Sequence, residues 1–217
     1  MSYTGDVTVG GPADSRELPG LTIQKLAVGR FDNNAYLLRD HGTGDQILID
    51  AAAEPDRLLA LIGDRPLSRI ITTHRHQDHW QALAEVASVT SAAVIAHPHD
   101  AEPLPVPVTD PVVHGDTIAL GDHVLEVVHL RGHTPGSIAL LLRTSGRPHL
   151  FTGDSLFPGG AGGTFGDPTN FKSLMTDLVE RVFEPLPDDT WFYPGHGGDS
   201  TLGRERPSIP DWWARGW

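Results

Sequence analysis

The sequence lacks cysteine altogether. This absence excludes a disulfide framework, a thiolate zinc finger and a cysteine nucleophile, so any metal ion must be held by nitrogen and oxygen ligands. Basic residues are few as well, because 16 Lys and Arg stand against 28 Asp and Glu, for a net charge of −12. That charge repels nucleic-acid phosphates and anionic lipid headgroups, and no apolar run approaches the ~20 residues of a membrane-spanning helix. We therefore expect neither a nucleic acid nor a membrane among the partners of this protein.

Residues 1–20 also lack the basic and apolar stretches of a secretory signal, which predicts a cytoplasmic location. A length of 217 residues is typical of one or two domains, and no repeat, low-complexity tract or linker divides the chain. We expect a single domain over residues 1–217.

Glycine, proline and histidine are abundant instead, with 24, 18 and 12 residues. Helical spacing of apolar residues predicts helices at 54–62, 80–87 and 171–183. Short apolar runs bounded by turn residues predict strands at 21–28, 35–39, 46–50, 69–73, 93–96, 117–120, 124–130, 138–142, 149–151 and 190–193. Asp32, Asn33 and Asn34 are turn formers and predict a hairpin between the first two strands. This order of elements favours sheets covered by helices, an α/β or α+β architecture.

The densest chemical signal is the segment THRHQDH, which follows a predicted strand and precedes a predicted helix. Side chains alternate in an extended chain, so His74 and His76 point the same way. Asp78 and His79 lie at the start of the helix and face a second point. Imidazole nitrogen and carboxylate oxygen are ligands of zinc, and a catalytic zinc site keeps one position for water. The segment therefore predicts a site for two metal ions, the alternative being a solvated turn with Asp78 as the helix N-cap.

Three later strand ends also finish in potential ligands, namely His133 in RGHTPGS, Asp154 in FTGDSLF and His196 in YPGHGG. Each has Gly nearby, as converging loops at one edge of a sandwich require. Together with HxHxDH, these motifs resemble the metallo-β-lactamase-fold superfamily and, within it, the glyoxalase II-like hydrolases. The resemblance runs from Asp50 to about Glu205. It implies an α+β fold, the αββα four-layer sandwich, with a dinuclear metal site along one edge.

When the motifs are matched residue by residue, the resemblance implies two ligand sets and a carboxylate that bridges them. The first ion is held by His74, His76 and His133, the second by Asp78, His79 and His196, and the bridging carboxylate is Asp154. Asp78 and Asp154 are also the implied catalytic residues. Asp50 matches the first motif of the family and is expected to orient a ligand by accepting a hydrogen bond from its far ring nitrogen or from the loop backbone. The alternative for Asp50 is an ordinary residue that closes a strand into a turn.

Two zinc ions per chain are the expected cofactors, with iron or manganese as alternatives. Two divalent ions about 3.5 to 4 Å apart can share a water that is ionised near neutral pH, and this bridging hydroxide is the predicted nucleophile. The expected function is metal-dependent hydrolysis of a small-molecule substrate, namely a small ester, lactone or thioester.

Other members of the superfamily fit less well. Flavodiiron proteins carry Glu where His76 stands, RNA-processing members add a large insertion, and secreted β-lactamases of the commonest subclass use a cysteine ligand and a signal peptide. Only 21 residues follow His196, so we expect the helical C-terminal domain of glyoxalase II to be missing, which disfavours glutathione thioesters.

Two further alternatives stay open. One is a mononuclear iron persulfide dioxygenase, for which His74, His133 and Asp154 supply the two His and one carboxylate of such a site. The other is a metal-binding protein that has lost catalysis. His97 and His99 have the spacing of metal ligands but lack matching partners, so we expect no second site there.

Two regions near the motifs are expected to shape the site or the core. The Gly-rich loop 157–169 is predicted to be a flexible lip, with Phe165 as an apolar contact for substrate. Trp80 is expected to pack in the core rather than line the pocket. Three tryptophans near the C-terminus are predicted to cap the domain, the alternatives being that they line the cleft or form a homodimer contact. They are Trp212, Trp213 and Trp217.

Overall fold

The structure, a computed structural model, describes residues 3–216, so Trp217 of the predicted cap lies outside the described residues. The first half of the chain contributes seven strands, which are β1 (Asp14–Leu18), β2 (Leu21–Val28), β3 (Asn33–Asp40), β4 (Gln46–Ile49), β5 (Leu67–Ile71), β6 (Ala93–Ala96) and β7 (Asp110–Pro111). They form one sheet in sequence order, antiparallel from β1 to β4 and parallel from β4 to β7. Helices α1 (Pro55–Ile62) and α2 (Leu83–Thr90) connect the parallel strands, as parallel pairing requires.

The second half contributes eight strands, which are β8 (Thr117–Leu120), β9 (His123–His129), β10 (Ile138–Leu142), β11 (His149–Gly153), β12 (Leu156–Phe157), β13 (Gly160–Ala161), β14 (Trp191–Pro194) and β15 (Ser200–Thr201). Six of them form a sheet in the order β15-β14-β11-β10-β9-β8, and β12 pairs with β13 in a separate ribbon. The helices are α3 (Pro168–Leu178), which continues into a π-helical turn (Val179–Phe183), α4 (Leu202–Glu205) and α5 (Ile209–Arg215). No helix in the described part of the chain has the length and apolar character needed to cross a membrane.

Three hydrophobic cores separate four layers. The alternation of side chains along β3 sends Leu37 towards α1 and α2 and sends Tyr36 and Leu38 into the space between the sheets. A third core lies between the second sheet and the C-terminal helices, where Leu174 of α3 and Trp212 of α5 are buried. Each sheet is covered on both faces, which explains why its strands are apolar on both sides. The predicted αββα sandwich is therefore confirmed.

Five strands end at the same edge of the sandwich, namely β4, β5, β9, β11 and β14. Parallel pairing of β4 with β5 and of β11 with β14 gives the strands of each pair a common direction. The two sheets meet at this edge, where the backbone N–H of Ile138 donates to the carbonyl oxygen of Thr73 at 2.9 Å. The segments that follow these strand ends carry the residues of the HxHxDH, GHTPGS, GDSLF and PGHG motifs.

The predicted turn at Asp32, Asn33 and Asn34 is wrong in its boundaries. The turn occupies residues 29–32, whereas Asn33 and Asn34 begin β3 and are buried. The side-chain amide of Asn34 donates to the carbonyl oxygens of Pro194 and Gly197, both at 3.0 Å. These long-range hydrogen bonds outweigh the local preference of Asn for turns.

Candidate metal centre

The first predicted ligand set lies close together. His74, His76 and His133 offer ring nitrogens that all lie within 4.8 Å of one another. His74 and His76 stand two residues apart in the extended segment after β5, so their imidazoles converge, with ring centroids 4.8 Å apart. His133 reaches them from the loop after β9, and its ring centroid lies 4.6 Å from that of His76.

The second predicted set forms a separate group. Nε2 of His79 lies 3.6 Å from Oδ2 of Asp78 and 3.2 Å from Nε2 of His196. The side chains of Asp78 and His79 are placed by a 3-10 turn, Gln77–His79, which closes with a hydrogen bond from the His79 N–H to the His76 carbonyl oxygen. Neighbouring residues of the one segment 74–79 thus contribute to two different ligand groups.

Asp154 stands between the two groups. One carboxylate oxygen, Oδ2, lies 3.9 Å from Nε2 of His74 and 3.7 Å from Nε2 of His133. The carboxylate also faces the second group, with Oδ1 at 3.3 Å from Nε2 of His79 and Oδ2 at 3.4 Å from Nε2 of His196. All seven residues implied by the motifs therefore meet at one edge of the sandwich.

The outer ring nitrogen of each of four histidines is hydrogen-bonded to a fixed oxygen. Nδ1 of His133 donates to the Gly163 carbonyl oxygen at 2.7 Å, and Nδ1 of His196 donates to that of Phe31 at 2.8 Å. His79 donates to the Asp50 carboxylate at 2.9 Å, and Nδ1 of His74 lies 3.1 Å from the Thr73 hydroxyl. Such partners orient Nε2 inwards, as in metal-ligating histidines generally.

Asp50 occupies the place that its motif predicts. It adopts a left-handed backbone conformation, with φ of 58°, and is buried. Its carboxylate accepts hydrogen bonds from the Thr73 backbone N–H and hydroxyl, both at 2.8 Å, in addition to the one from His79. Asp50 therefore makes both of the predicted contacts, one with the outer ring nitrogen of His79 and one with the loop backbone at Thr73.

Buried atoms without partners show that this donor set suits a cation. Nε2 of His74, Nε2 of His133 and Oδ1 of Asp154 are buried and have no hydrogen-bond partner among the described residues. Buried polar atoms in native proteins are almost always paired, so three orphaned atoms within this cluster call for a missing group. A divalent cation fits, since all three atoms are electron-pair donors.

The ionisation states point the same way. Burial, and then the neighbouring His79, holds the pKa of His74 well below its usual range, and burial likewise lowers the pKa values of His76 and His133. Burial opposes ionisation of Asp154, but the nearby imidazoles, led by His79, hold its pKa well below the usual value. Neutral imidazoles and an ionised carboxylate are the forms that bind metals.

In the second ligand group, the combined effect of the carboxylates on the histidine pKa values outweighs the effect of burial. Burial would lower the pKa of His79, but Asp154 and Asp50 raise it to about 10. Burial also opposes protonation of His196, but Asp154 raises its pKa. Carboxylates that attract a proton to these imidazoles attract a metal cation to the same place, because both interactions are electrostatic.

Two residues that brace the ligand loops are not predicted by the motifs. Asn33 donates from its amide to Oδ2 of Asp78 at 2.8 Å. Asp100 accepts from the Arg75 N–H at 3.1 Å, from the Gly136 N–H at 2.9 Å and from the Thr134 hydroxyl, so it joins the loops of His74 and His133. A polar pair at the head of an apolar strand is a signal for Asn33. The sequence carries no signal for Asp100, because its partners are distant in the chain.

Aromatic side chains border the centre. The ring of Phe165 lies 5.7 Å from that of His76, in the loop predicted to form a lip, and is 78% exposed. The ring centroid of Phe157 lies 6.4 Å from that of His196. Trp80 does more than predicted, since it packs against the first core and also lines a cavity of about 510 Å³ beside His76.

The remaining predictions concern residues outside the centre. His97 stacks on His129, with centroids 4.0 Å apart, and no metal-binding group within residues 3–216 includes His97 or His99. Trp212 is buried in the third core, whereas Trp213 is 38% exposed beside Phe171.

Comparison with known proteins agrees with this geometry. The family model of the metallo-beta-lactamase superfamily matches residues 28–200 of the sequence. The chain belongs to the metallo-beta-lactamase superfamily. A hydroxyacylglutathione hydrolase from Fuscovulum blasticum is 38% identical over 168 residues, which are 76% of this chain and 62% of that protein. The chain thus spans less than two thirds of that relative's length.

Two further relatives extend the likeness. The hydroxyacylglutathione hydrolase GloC of Haemophilus influenzae is 28% identical, and the alignment covers 88% of this chain and 97% of that protein. The crystal structure of ETHE1 from Myxococcus xanthus has a TM-score of 0.76 and 31% identity, covering 88% of this chain and 84% of that one. These relatives confirm the predicted resemblance to glyoxalase II-like hydrolases and, with it, an enzyme of the metallohydrolase type.

Proposed function

We propose that this protein hydrolyses a small thioester, ester or lactone with the help of two divalent metal ions, zinc in the first instance. The observation that carries the proposal is the position of Asp154 between two complete ligand groups, the first built from three histidines and the second from Asp78, His79 and His196. A mononuclear site would need only one of these groups. The seven proposed ligands are His74, His76, Asp78, His79, His133, Asp154 and His196.

When bound, divalent ions supply Lewis acidity and ionised water at neutral pH. The residues around them then have separate tasks. Asp50 fixes the ring of His79, while the carbonyl oxygens of Phe31 and Gly163 fix those of His196 and His133. Asp78 is held by Asn33, and Asp154 stays ionised. A rigid set of ligands of this kind keeps the reacting centre in one geometry, which is where much of the rate acceleration of enzymes originates.

The rim of the centre favours a substrate with an apolar part beside its scissile carbonyl. Phe31 and Phe165 are 51% and 78% exposed, which is unusual for large apolar side chains, and Phe157 lies near His196. An acyl chain can bury these rings when it binds. The relatives named hydroxyacylglutathione hydrolase favour a thioester within the proposed substrate class.

Metal analysis combined with a substrate panel tests the proposal. Purified wild-type protein should contain close to two metal equivalents and should hydrolyse at least one activated thioester, ester or lactone. His76→Ala should lower the metal content and reduce kcat/KM at least about 100-fold, because a ligand is lost.

His99→Ala is the matched control, since it removes an imidazole outside the ligand groups and should leave both properties unchanged. Undiminished turnover by metal-free wild-type protein would contradict the proposal.

A second candidate function is an iron-dependent persulfide dioxygenase, favoured by the likeness to ETHE1 at 31% identity. His74, His133 and Asp154 would hold one iron ion in that case, since the two imidazole Nε2 atoms lie within 4 Å of the same carboxylate oxygen. Oxygen uptake with glutathione persulfide, together with one iron per chain and no hydrolysis of the panel, would favour this function over the first.

A further inference from the structure

A second cavity, of about 670 Å³, lies at the opposite end of the sandwich from the candidate metal centre. His149 and Trp191 line it, and these residues begin β11 and β14, the strands whose other ends lead to Asp154 and His196. An extended strand rises about 3.3 Å per residue, so roughly 16 Å separates His149 from Asp154. The cavity is therefore distinct from the proposed active site.

Arg16 is held rigidly in this cavity by aromatic rings. Its guanidinium carbon lies 4.2 Å from the centroid of Tyr3 and 4.1 Å from that of Trp191. Both rings are fixed by Asp199, which accepts from the Tyr3 hydroxyl at 2.6 Å and from the Trp191 indole at 3.0 Å. Stacking covers the faces of a guanidinium and leaves its N–H donors, which lie in its plane, free for other partners.

A second guanidinium faces the same ring. The Arg147 guanidinium carbon lies 5.7 Å from the Trp191 centroid. Burial, followed by the charges of Arg16 and Arg147, lowers the pKa of His149 to about 4, so both positive charges act at the floor of the cavity. The cavity is thus a local region of positive potential on a chain whose net charge is −12.

Neither guanidinium is neutralised by a carboxylate within residues 3–216, and the buried Nε of Arg16 has no hydrogen-bond partner there. Glu17 is the one acidic residue among the described residues that line the cavity. Its carboxylate accepts instead from the Thr22 hydroxyl at 2.9 Å and lies 3.6 Å from His41. Unpaired arginine beside a small, preorganised cavity is the usual arrangement for recognising an oxyanion.

We propose that this cavity binds a small oxyanion, one that carries phosphate or carboxylate groups, between Arg16 and Arg147. The N–H edge of Arg16 and the exposed Arg147 offer bidentate donors to the anionic group. Ser145 also lines the cavity and adds a polar side chain beside the two arginines. Binding here does not depend on the proposed hydrolase function.

Isothermal titration calorimetry at low ionic strength tests the proposal with pyrophosphate and succinate, which represent the phosphate and carboxylate classes. Saturable binding of at least one probe is expected. Arg147→Gln and, independently, Arg16→Gln should weaken its affinity at least tenfold, because each removes a charged donor pair.

Two comparisons complete the test. Arg143→Gln removes an exposed arginine paired with Glu126 outside the cavity and should leave the affinity within twofold of wild type. His76→Ala should leave it unchanged too, which separates this cavity from the metal centre. The proposal would be overturned if neither probe binds saturably, or if Arg143→Gln and Arg147→Gln weaken the affinity equally.

Discussion

At the scale of single residues, the centre depends on which nitrogen of each imidazole faces inwards. Carbonyl oxygens at Gly163 and Phe31 can only accept, so they require Nδ1–H on His133 and His196. Nε2 of a neutral ring then carries the lone pair towards the ligand group. The Asp50 carboxylate applies the same requirement to His79. Main-chain and carboxylate oxygens outside the centre thus decide its chemistry.

Gly195 leaves no room for a side chain beside the proposed bridging ligand. A Cβ at this position would collide with Oδ1 of Asp154 and would lie 2.7 Å from Cε1 of His79. We predict that Gly195→Ala displaces the carboxylate and weakens metal affinity about 10- to 100-fold, as loss of an orienting contact does. Competition with a chromophoric chelator measures this affinity.

Gly198→Ala is the matched control in the same loop. Nothing lies within 4 Å of a Cβ at this position, so metal affinity should stay at the wild-type value. Equal affinities for Gly195→Ala and wild type would show that Asp154 does not hold metal in the described position.

At the scale of elements, one buried lysine joins three segments. Nζ of Lys25, in β2, donates to the carbonyl oxygens of Gly5 and Gly197, both at 2.8 Å, and to Asp199 at 2.7 Å. The side chain is fully buried, as is nearly all of the Asp199 side chain. The loop that follows His196 is therefore held against the first sheet by a single cation, because three acceptors use its three protons.

Removing that cation should destabilise the protein. We predict that Lys25→Met lowers the free energy of unfolding by about 3 to 5 kcal/mol, because it leaves the Asp199 carboxylate buried without its cation. Urea denaturation of the two proteins at pH 7 measures the difference. Lys172→Met, at an exposed position in α3, should change stability by less than about 0.5 kcal/mol. A loss of that small size in Lys25→Met would mean that the ion pair contributes little.

At the scale of the whole molecule, the motifs predict which residues meet, and the structure brings all seven together. The apolar runs likewise predict sheets covered by helices, and the resemblance to the superfamily implies that there are two such sheets. Local patterns failed where a long-range contact decided the outcome. Asn33 and Asn34 have the composition of a turn, but the loop after β14 draws them into a strand. The carboxylate of Asp100 joins two ligand loops, although no local pattern predicts this contact.

Metal removal should affect the stability of the whole protein, since the proposed ligands come from both halves of the chain. A ligand that binds only the folded state stabilises it by about 4 kcal/mol at a free concentration of 1,000 Kd. For a protein of this size, that corresponds to a Tm change of roughly 10 °C. We predict a fall of this order when a chelator is added to the metal-loaded protein, measured by differential scanning calorimetry. The same chelator should shift the Tm of His76→Ala much less, and an unchanged wild-type Tm would contradict metal binding at this centre.

The order of the ligands along the chain decides when the metal centre can form during protein synthesis. Ribosomes build proteins from the N-terminus, whereas a domain generally folds as a unit. His74, His76 and His133 emerge before Asp154, and His196 emerges last. A nascent chain can therefore present a trio of imidazoles while the other ligand group is still incomplete. Because the ligands come from both sheets of one folding unit, the complete centre can form only after His196 has left the ribosome.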